Sequence, residues 1–516
     1  MLELPERYNV STILDRNLER GLAGKAAVRW AEGELSYGEL FARVCAFARA
    51  LRALGFRREE RVLLVLDDTW AFPVAFLGAI RMGAVPIPVN PLLRPEEYRY
   101  FLEDSYARAV VADEGSLSRV AEALKGMEGV FLIACGAEPP EGVEGVRLEE
   151  LLQAHAGEVP PADTHRDDMA FWLYSSGSTG KPKGVVHLQH DIPYTCETYA
   201  KHVLQIREED VTFSASKLFH AYGLGNNLSF PYWVGATTVL LKGRPTPETV
   251  LQTIVRFRPS LFFTVPTLYN LILNHPEAGR YDLSSIRLCV SAAEPLPPEI
   301  WRRWKETFGL VILDGIGSTE MLHIYCSNTL DALKPGSSGK PVLGYELRIL
   351  SPEGTPVPPG EAGDLWVRGD SALAFYWHQH EKTKRTLQGE WFHTGDRYRM
   401  DEEGFFWYEG RSDDMIKVKG LWVSPIEIEN ALMEHPAVRE AAVVGVQVEG
   451  LARIKAFVIL REGYTPGEAL TRELQEWCKA RLRPYQYPEF VAYVEDFPRT
   501  ATGKVQRFKL RELQEA

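Results

Sequence analysis

The sequence predicts an α/β protein: a large N-terminal domain of parallel sheets wrapped by helices, a small β subdomain, and a smaller α+β C-terminal domain. Three observations predict it. The chain has 516 residues, too many for one hydrophobic core, so two or more domains are expected. Short apolar runs alternate with amphipathic helical stretches, the pattern of a parallel sheet with helices on its faces. Beyond residue 340 the texture changes to short β-like runs between Gly/Pro turns, and RSDD (411–414) marks the start of a separate unit of about 100 residues.

In chain order, Ser36-Tyr37-Gly38-Glu39 is a capping box that opens a helix over 36–54. RVLLVL (61–66) reads as a strand, and a helical stretch follows to Met82. AVPIPV (84–89) reads as a short or edge strand, because proline cannot donate to a ladder. PEEYRYFLEDS predicts a helix and ARAVVAD (107–113) a strand. The stretch 136–168, rich in Gly, Pro, Glu and Asp, reads mostly as connection. Apolar strands follow at 169–173, 237–241, 260–265, 286–291 and 310–314, each leading into small or polar residues. Ligands of open α/β sheets lie beyond the carboxyl ends of strands, so the loops 175–184, 291–296 and 314–320 are expected to converge. ELRIL, DLWVRG and FFWYEG, between 340 and 410, predict an antiparallel β subdomain. Ser424-Pro425-Ile426-Glu427 is a helix start with cap and box. Two strand-like runs, a helix over 468–482 and the strand-like FVAYV complete the last unit.

Bulk properties narrow the function classes. Hydrophobic residues make up 45% and charged residues 25% of the chain, as in ordinary globular proteins. A net charge of −12 argues against a nucleic-acid surface and carries no membrane-binding signal. Anionic substrates must then meet local positive clusters. The opening MLELPERYNV lacks an apolar run, so no secretory signal is expected. The apolar region 71–89 is interrupted by Pro73, Arg81, Pro86 and Pro88 and does not read as a membrane span. Six scattered cysteines without a CxxC suit buried thiols in a cytoplasmic protein. No zinc spacing is present. His187 and His190 could share a helix face, and they read as core or solvated histidines.

The stretch 174–184, YSSGSTGKPKG, carries the strongest chemistry. Gly177 and Gly180 let main-chain N–H groups approach a ligand, Ser175, Ser176, Ser178 and Thr179 donate, and Lys181 and Lys183 supply charge. After a strand, this is how a backbone wraps phosphate. A Walker A loop is excluded, because position 175 is Ser and position 182 is Pro. In DGIGSTE (314–320), which follows a strand, Thr319 can donate to a phosphate oxygen and Glu320 can hold Mg²⁺. The third glycine of a dinucleotide fingerprint is missing there. Asp396, in WFHTGD, suits a vicinal diol. Arg411 lies in YEGRSDD, and Lys504 follows Gly503 in a basic C-terminal run.

Together, and over essentially the whole chain, these motifs resemble the adenylate-forming (AMP-binding) superfamily of acyl-CoA synthetases, peptide-synthetase adenylation domains and luciferases. The resemblance implies a nucleotide site formed by 175–184, by Ala293, Glu294 and Pro295, and by Asp314, Gly315 and Ile316. In it Thr319 meets the α-phosphate, Glu320 the metal, and Asp396 and Arg411 the ribose. One position departs: the tyrosine that usually stacks on adenine is Ile316, so packing there is aliphatic. The resemblance also implies that Lys504 is the catalytic lysine of adenylation, bridging the charge that builds when a carboxylate attacks the α-phosphate. Asp413 falls on the family's hinge, between domains 1–412 and 413–516, and makes the C-terminal domain a mobile lid. Gly420 lines the CoA tunnel, and Lys417 aligns with a lysine that assists thioester formation.

The stretches 217–241 and 317–328 look like the benzoate and aryl-carboxylate CoA ligase branch. That implies an acyl pocket of His220, Ala221, Tyr222, Ala292, Gly317, His323 and Ile324, a mix that suits a flat ring. The expected substrates are a carboxylic acid, ATP and CoA with Mg²⁺, and a homodimer is the candidate assembly. Alternatives are a synthetase for short, medium-chain or cinnamate-type acids, an enzyme loading a carrier protein, and a non-catalytic nucleotide-binding regulator.

Overall fold

The structure is a computed structural model that describes residues 3–175, 181–411, 415–418, 421–448, 451–483, 485–499 and 505–513, with the side chains of Lys417, Leu421 and Trp422 outside the description. The predicted class holds: two mostly parallel sheets and a β subdomain form the larger N-terminal part, followed by a C-terminal α+β domain.

The first sheet has nine strands. Its centre is parallel and runs, in spatial order, through Ile312–Gly317, Leu288–Ser291, Leu261–Thr264, Val211–Ser214, Thr237–Val239 and Ala26–Trp30. Antiparallel strands close both edges. The second sheet is wholly parallel, in the order Val85–Pro88, Arg61–Val65, Ala107–Asp113, Phe131–Cys135 and Gly145–Arg147. The proline-containing strand stands at the edge, as the missing N–H groups require.

The helix Tyr37–Ala53 begins with both halves of the capping box in place, Ser36 and Glu39. It packs against the fully buried helix Ala71–Met82, where a Cβ on Gly78 would come within 2.9 Å of Phe47. The small residue thus lets the two helices approach closely.

Several expectations need correction. The segment 136–168 is more than connection: it holds the strand Gly145–Arg147 and the helix Leu148–Ala154. The strand Met169–Ser175 does not join a parallel sheet. It forms an antiparallel hairpin with Lys183–Leu188, and Phe375–Tyr376 adds a third strand. The first four residues of DGIGSTE lie inside the strand Ile312–Gly317 rather than after it. His187 is on a strand and His190 precedes a short helix, so they share no helix face. At Ser424 the helix Pro425–Met433 starts as expected, but without a side-chain cap. Glu427 instead accepts from Gln486.

The β subdomain is antiparallel, built on Glu346–Leu350, Ala362–Arg368, Trp391–Met400 and Phe406–Arg411. In the C-terminal domain Val438–Val448, Leu451–Leu460 and Phe490–Tyr493 form one sheet over the helices Pro425–Met433 and Glu468–Arg481. All six cysteines are free and buried. Among the described residues no helix is long and apolar enough to cross a membrane.

Candidate active site

The two parallel strands Leu288–Ser291 and Ile312–Gly317 end side by side, with Ser291 opposite Asp314. Their carboxyl ends carry the loops 291–296 and 314–320. The hairpin Met169–Ser175/Lys183–Leu188 reaches the same place, because the Ser175 hydroxyl donates to Glu320 Oε1 at 3.2 Å. The described ends of all three loops therefore meet. Ser176, Gly177, Ser178, Thr179 and Gly180 lie outside the described residues, as do Asp413, Gly420 and Lys504, together with the side chain of Lys417.

Glu320 is the centre of the described site. Its Oε1 also accepts from the Tyr376 hydroxyl at 2.9 Å. Lys183 Nζ lies over the Tyr376 ring, 4.8 Å from its centroid. Burial pulls the Lys183 ammonium down to about 8, opposed by Glu320 and reinforced by Lys382 and Arg411. Lys183 thus feels Lys382 and Arg411 as well as Glu320, a local gathering of cations that welcomes a polyanion. Lys181 is further out, 5.0 Å over the Tyr100 ring, whose hydroxyl donates to the Pro182 carbonyl.

The turn that presents Thr319 and Glu320 is held by its carbonyls. Thr319 O accepts from Leu322 N–H at 3.1 Å and faces His187 Nε2 at 2.8 Å. Glu320 O accepts from Leu373 N–H at 2.7 Å. Met321 O accepts from the Ser371 hydroxyl at 2.8 Å, and Met321 N–H donates to Ser318. Leu322 takes a positive φ of 64° to close the turn, a strained choice for leucine. Ala293, exposed at the end of its strand, also has positive φ, 73°. Backbone outliers of this kind gather at ligand sites.

Asp396 and Arg411 face each other across antiparallel strands and pair at 3.1 Å. Asp314 is buried, and burial pushes its carboxyl well above the usual carboxylate range. Its carbonyl is taken by Asn328. A Cβ on Gly315 would meet the Cys326 carbonyl oxygen at 2.8 Å, so only glycine lets these strands pair there. Ile316 packs against the core. The Glu294 side chain turns away to accept from the Thr267 hydroxyl and N–H. Ala293 and Pro295 on either side of it are exposed.

Of the acyl-pocket candidates, Tyr222 and Gly317 lie against His323. Its ring is packed among Phe230, Tyr199 and Tyr222 at centroid distances of 4.5, 5.3 and 5.5 Å. Burial drives its pKa down to about 3, so the ring is neutral at ordinary pH. Nε2 donates to the Tyr222 carbonyl at 3.3 Å. The Tyr222 hydroxyl reaches the carbonyl of Val290, two residues before Ala292. A Cβ on Gly317 would lie 2.5 Å from His323 O and 2.9 Å from Ile324 Cα. Ala221 opens a short helix, with His220 in the capping position. His323 is thus enclosed by aromatic rings, three residues beyond Glu320.

Sequence reasoning did not single out Tyr376 or Lys382. Tyr376 becomes a partner of Glu320 only because its strand pairs with Lys183–Leu188, Tyr376 opposite Val185. No local pattern announces that pairing. Among the described residues no group of three or more His, Cys, Asp or Glu could hold a metal alone. Glu320, one carboxylate beside the Ser175 and Tyr376 hydroxyls, nevertheless fits Mg²⁺, which keeps waters and is bound by one or two carboxylates plus substrate phosphates.

Comparison with known proteins adds independent findings. The family model described as AMP-binding enzyme matches residues 14–377, and that of the AMP-binding enzyme C-terminal domain matches 427–504. A benzoate–CoA ligase of Thauera aromatica is 47% identical over 99% of this chain and 97% of its own. The crystal structure of a benzoate CoA ligase from Burkholderia xenovorans superposes with TM-score 0.91 at 47% identity, covering 98% of this chain and 100% of that one. An anthranilate CoA ligase in complex with anthranoyl-AMP gives 0.95 at 41% identity, covering 99% and 98%.

Proposed function

The chain belongs to the AMP-binding enzyme family, and on that premise we propose that it is an ATP-dependent, AMP-forming aromatic acid:CoA ligase whose preferred acid is benzoate or a close relative. The observation that carries this reading is the 47% identity, across 99% of the chain, with a protein named for benzoate. The uncharged aromatic enclosure around His323 supports a flat apolar ring as the acyl group.

The reaction has two halves. The carboxylate attacks the α-phosphate of ATP, giving an acyl-adenylate and pyrophosphate. The CoA thiol then attacks the acyl carbon and AMP leaves. In this reading Ser175 to Gly180, Lys181 and Lys183 grip the phosphates, and Thr319 donates to the α-phosphate. Asp396 and Arg411 hold the ribose, and the strand ends 293–295 and 314–316 line the base. Glu320 would hold Mg²⁺ with the nucleotide's own oxygens, and the bound ion neutralises polyphosphate charge. Lys504 bridges the attacking and attacked anions. The acyl ring sits against His220, Ala221, Tyr222, Ala292, Gly317, His323 and Ile324. We place the domain boundary at 412/413, with Asp413 as hinge. After adenylation the C-terminal domain swings to bring Lys417 and Gly420 to the thiol. The enzyme is read as cytoplasmic, with a homodimer as the assembly to test.

Pyrophosphate release measured over benzoate, hydroxybenzoates, cinnamates and short fatty acids tests the proposal. Benzoate-class acids should give the highest kcat/KM, with CoA rather than a carrier protein as acceptor. A preference for short fatty acids, or acid-independent nucleotide binding alone, would overturn it.

A further inference from the structure

Behind the catalytic turn lies a fully buried pair that the proposed reaction does not use. His187 and Asp191 are both 0% exposed. His187 Nδ1 is 2.7 Å from Asp191 Oδ2, and Nε2 is 2.8 Å from the Thr319 carbonyl oxygen. Asp191 Oδ2 also accepts from Leu188 N–H at 3.1 Å, and Oδ1 lies 3.2 Å from His190 Nε2. His190 in turn reaches the carbonyls of Arg166 and Asp370.

Counting protons assigns the roles. The Thr319 oxygen can only accept, so Nε2 must carry a hydrogen. The Asp191 oxygen already accepts from Leu188, so the short Nδ1 contact needs a second hydrogen between ring and carboxylate. Hydrogens are therefore called for on both sides of the ring, one toward Thr319 O and one between Nδ1 and Asp191 Oδ2. The ring stacks on Phe171 at 5.3 Å and 23°, which fixes its plane.

We infer that His187, oriented by Asp191, is a positioning residue: it fixes the Thr319–Glu320 peptide so that Thr319 faces the α-phosphate. The peptide is trans, so drawing the Thr319 carbonyl toward His187 turns the Glu320 N–H the opposite way. With Leu322 N–H on the second lone pair, the carbonyl is saturated and the turn has one orientation. This rests on the reading of Thr319 as a phosphate-binding residue.

The test compares His187→Gln, His187→Asn and Asp191→Asn in the full-length enzyme. Glutamine places an amide N–H near the Nε2 position, whereas asparagine reproduces only Nδ1. Asp191→Asn leaves the ring without its ionic partner, and an asparagine oxygen that keeps the Leu188 bond draws the proton to Nδ1 and bares Nε2 against a carbonyl. Affinity for AMP, measured by calorimetry, and acid-dependent ATP–pyrophosphate exchange should both fall by about 10–100-fold in His187→Asn and Asp191→Asn, the usual cost of losing a supporting partner. His187→Gln should stay within a few-fold of the parent enzyme, and unfolding midpoints identify any variant that fails to fold. Equal losses in His187→Gln and His187→Asn would overturn the inference, because a packing role ignores the donor. So would unchanged AMP affinity in folded His187→Asn or Asp191→Asn. If the parent enzyme binds AMP but exchanges pyrophosphate with no acid, the ligase reading fails, and the AMP measurements still decide this one.

Discussion

At Glu320 a single carboxylate oxygen gathers hydroxyls from Ser175 and Tyr376, residues far apart in the chain. The tyrosine hydroxyl helps to fix the orientation of that carboxylate. On the proposed role of Glu320 in holding Mg²⁺, Tyr376→Phe should raise the Mg²⁺ concentration needed for half-maximal rate by about 10-fold, a typical cost of losing a supporting partner. The acid's own KM should change little. An Mg²⁺ titration of the pyrophosphate-release rate reads this directly. Glu320 stands out in the sequence as an acid after Gly-Ser-Thr at a strand end, and the structure places it between Ser175 and Tyr376. Tyr376 does not stand out, because its role is created by strand pairing rather than by neighbours in sequence. His187 was visible only as a histidine without metal spacing, and its meaning came from two acceptors that the fold delivers to its ring.

The segment 217–222 carries three of the acyl-pocket candidates, His220, Ala221 and Tyr222, and the second sheet anchors it. Lys217 Nζ pairs with Asp67 at 2.8 Å, and Leu218 N–H donates to Asp68 Oδ1 at 3.0 Å. Burial raises the Asp68 carboxyl from 3.8 to about 7, against Lys217 and with help from Asp67 and Asp113. An unfolded chain releases this proton at low pH, while the fold retains it until about 7. Stability then declines as pH rises between those values and levels off above them. Asp68→Asn should flatten that decline and raise the urea midpoint at pH 7 and above relative to the parent. Asp113, raised to about 6 mainly by burial, slopes the same way, so part of the decline remains. Urea titrations at several pH values check both statements. These anchors were not legible in the sequence, because they join strand ends of two sheets. What was legible were elements with a local cause: the capped helix Tyr37–Ala53, the proline-bearing edge strand Val85–Pro88 and the apolar strands of the first sheet. The hairpin Met169–Leu188 was half legible. Its first strand is apolar, but nothing local says that Lys183–Leu188 pairs back on it.

The larger architecture followed the order of the motifs, and the C-terminal unit was recognisable by its own helix start and strands. Its contacts could not be read that way. Met433, on the first helix of that unit, packs against the core of the first sheet as well as its own. The run that includes Lys504 is tied to the C-terminal domain on both sides: Arg499 pairs with Glu440, and Arg507 with both oxygens of Glu429 at 2.8 Å. Lys504 is thus expected to travel with that domain. Lys504→Ala should lower acid-dependent ATP–pyrophosphate exchange by about 10²–10³-fold, the scale of one lost charge-stabilising donor, and leave thioesterification of preformed acyl-AMP largely intact. Equal loss in both half-reactions would contradict the rotation of one domain over the other. The most direct measurement follows an oxygen atom. Benzoate labelled with heavy oxygen in its carboxylate is turned over with ATP and CoA, and the nucleotide products are analysed by mass spectrometry. A mixed anhydride with the α-phosphate predicts one labelled oxygen in AMP and none in pyrophosphate. Label in orthophosphate with ADP as product, or AMP without label, would contradict it.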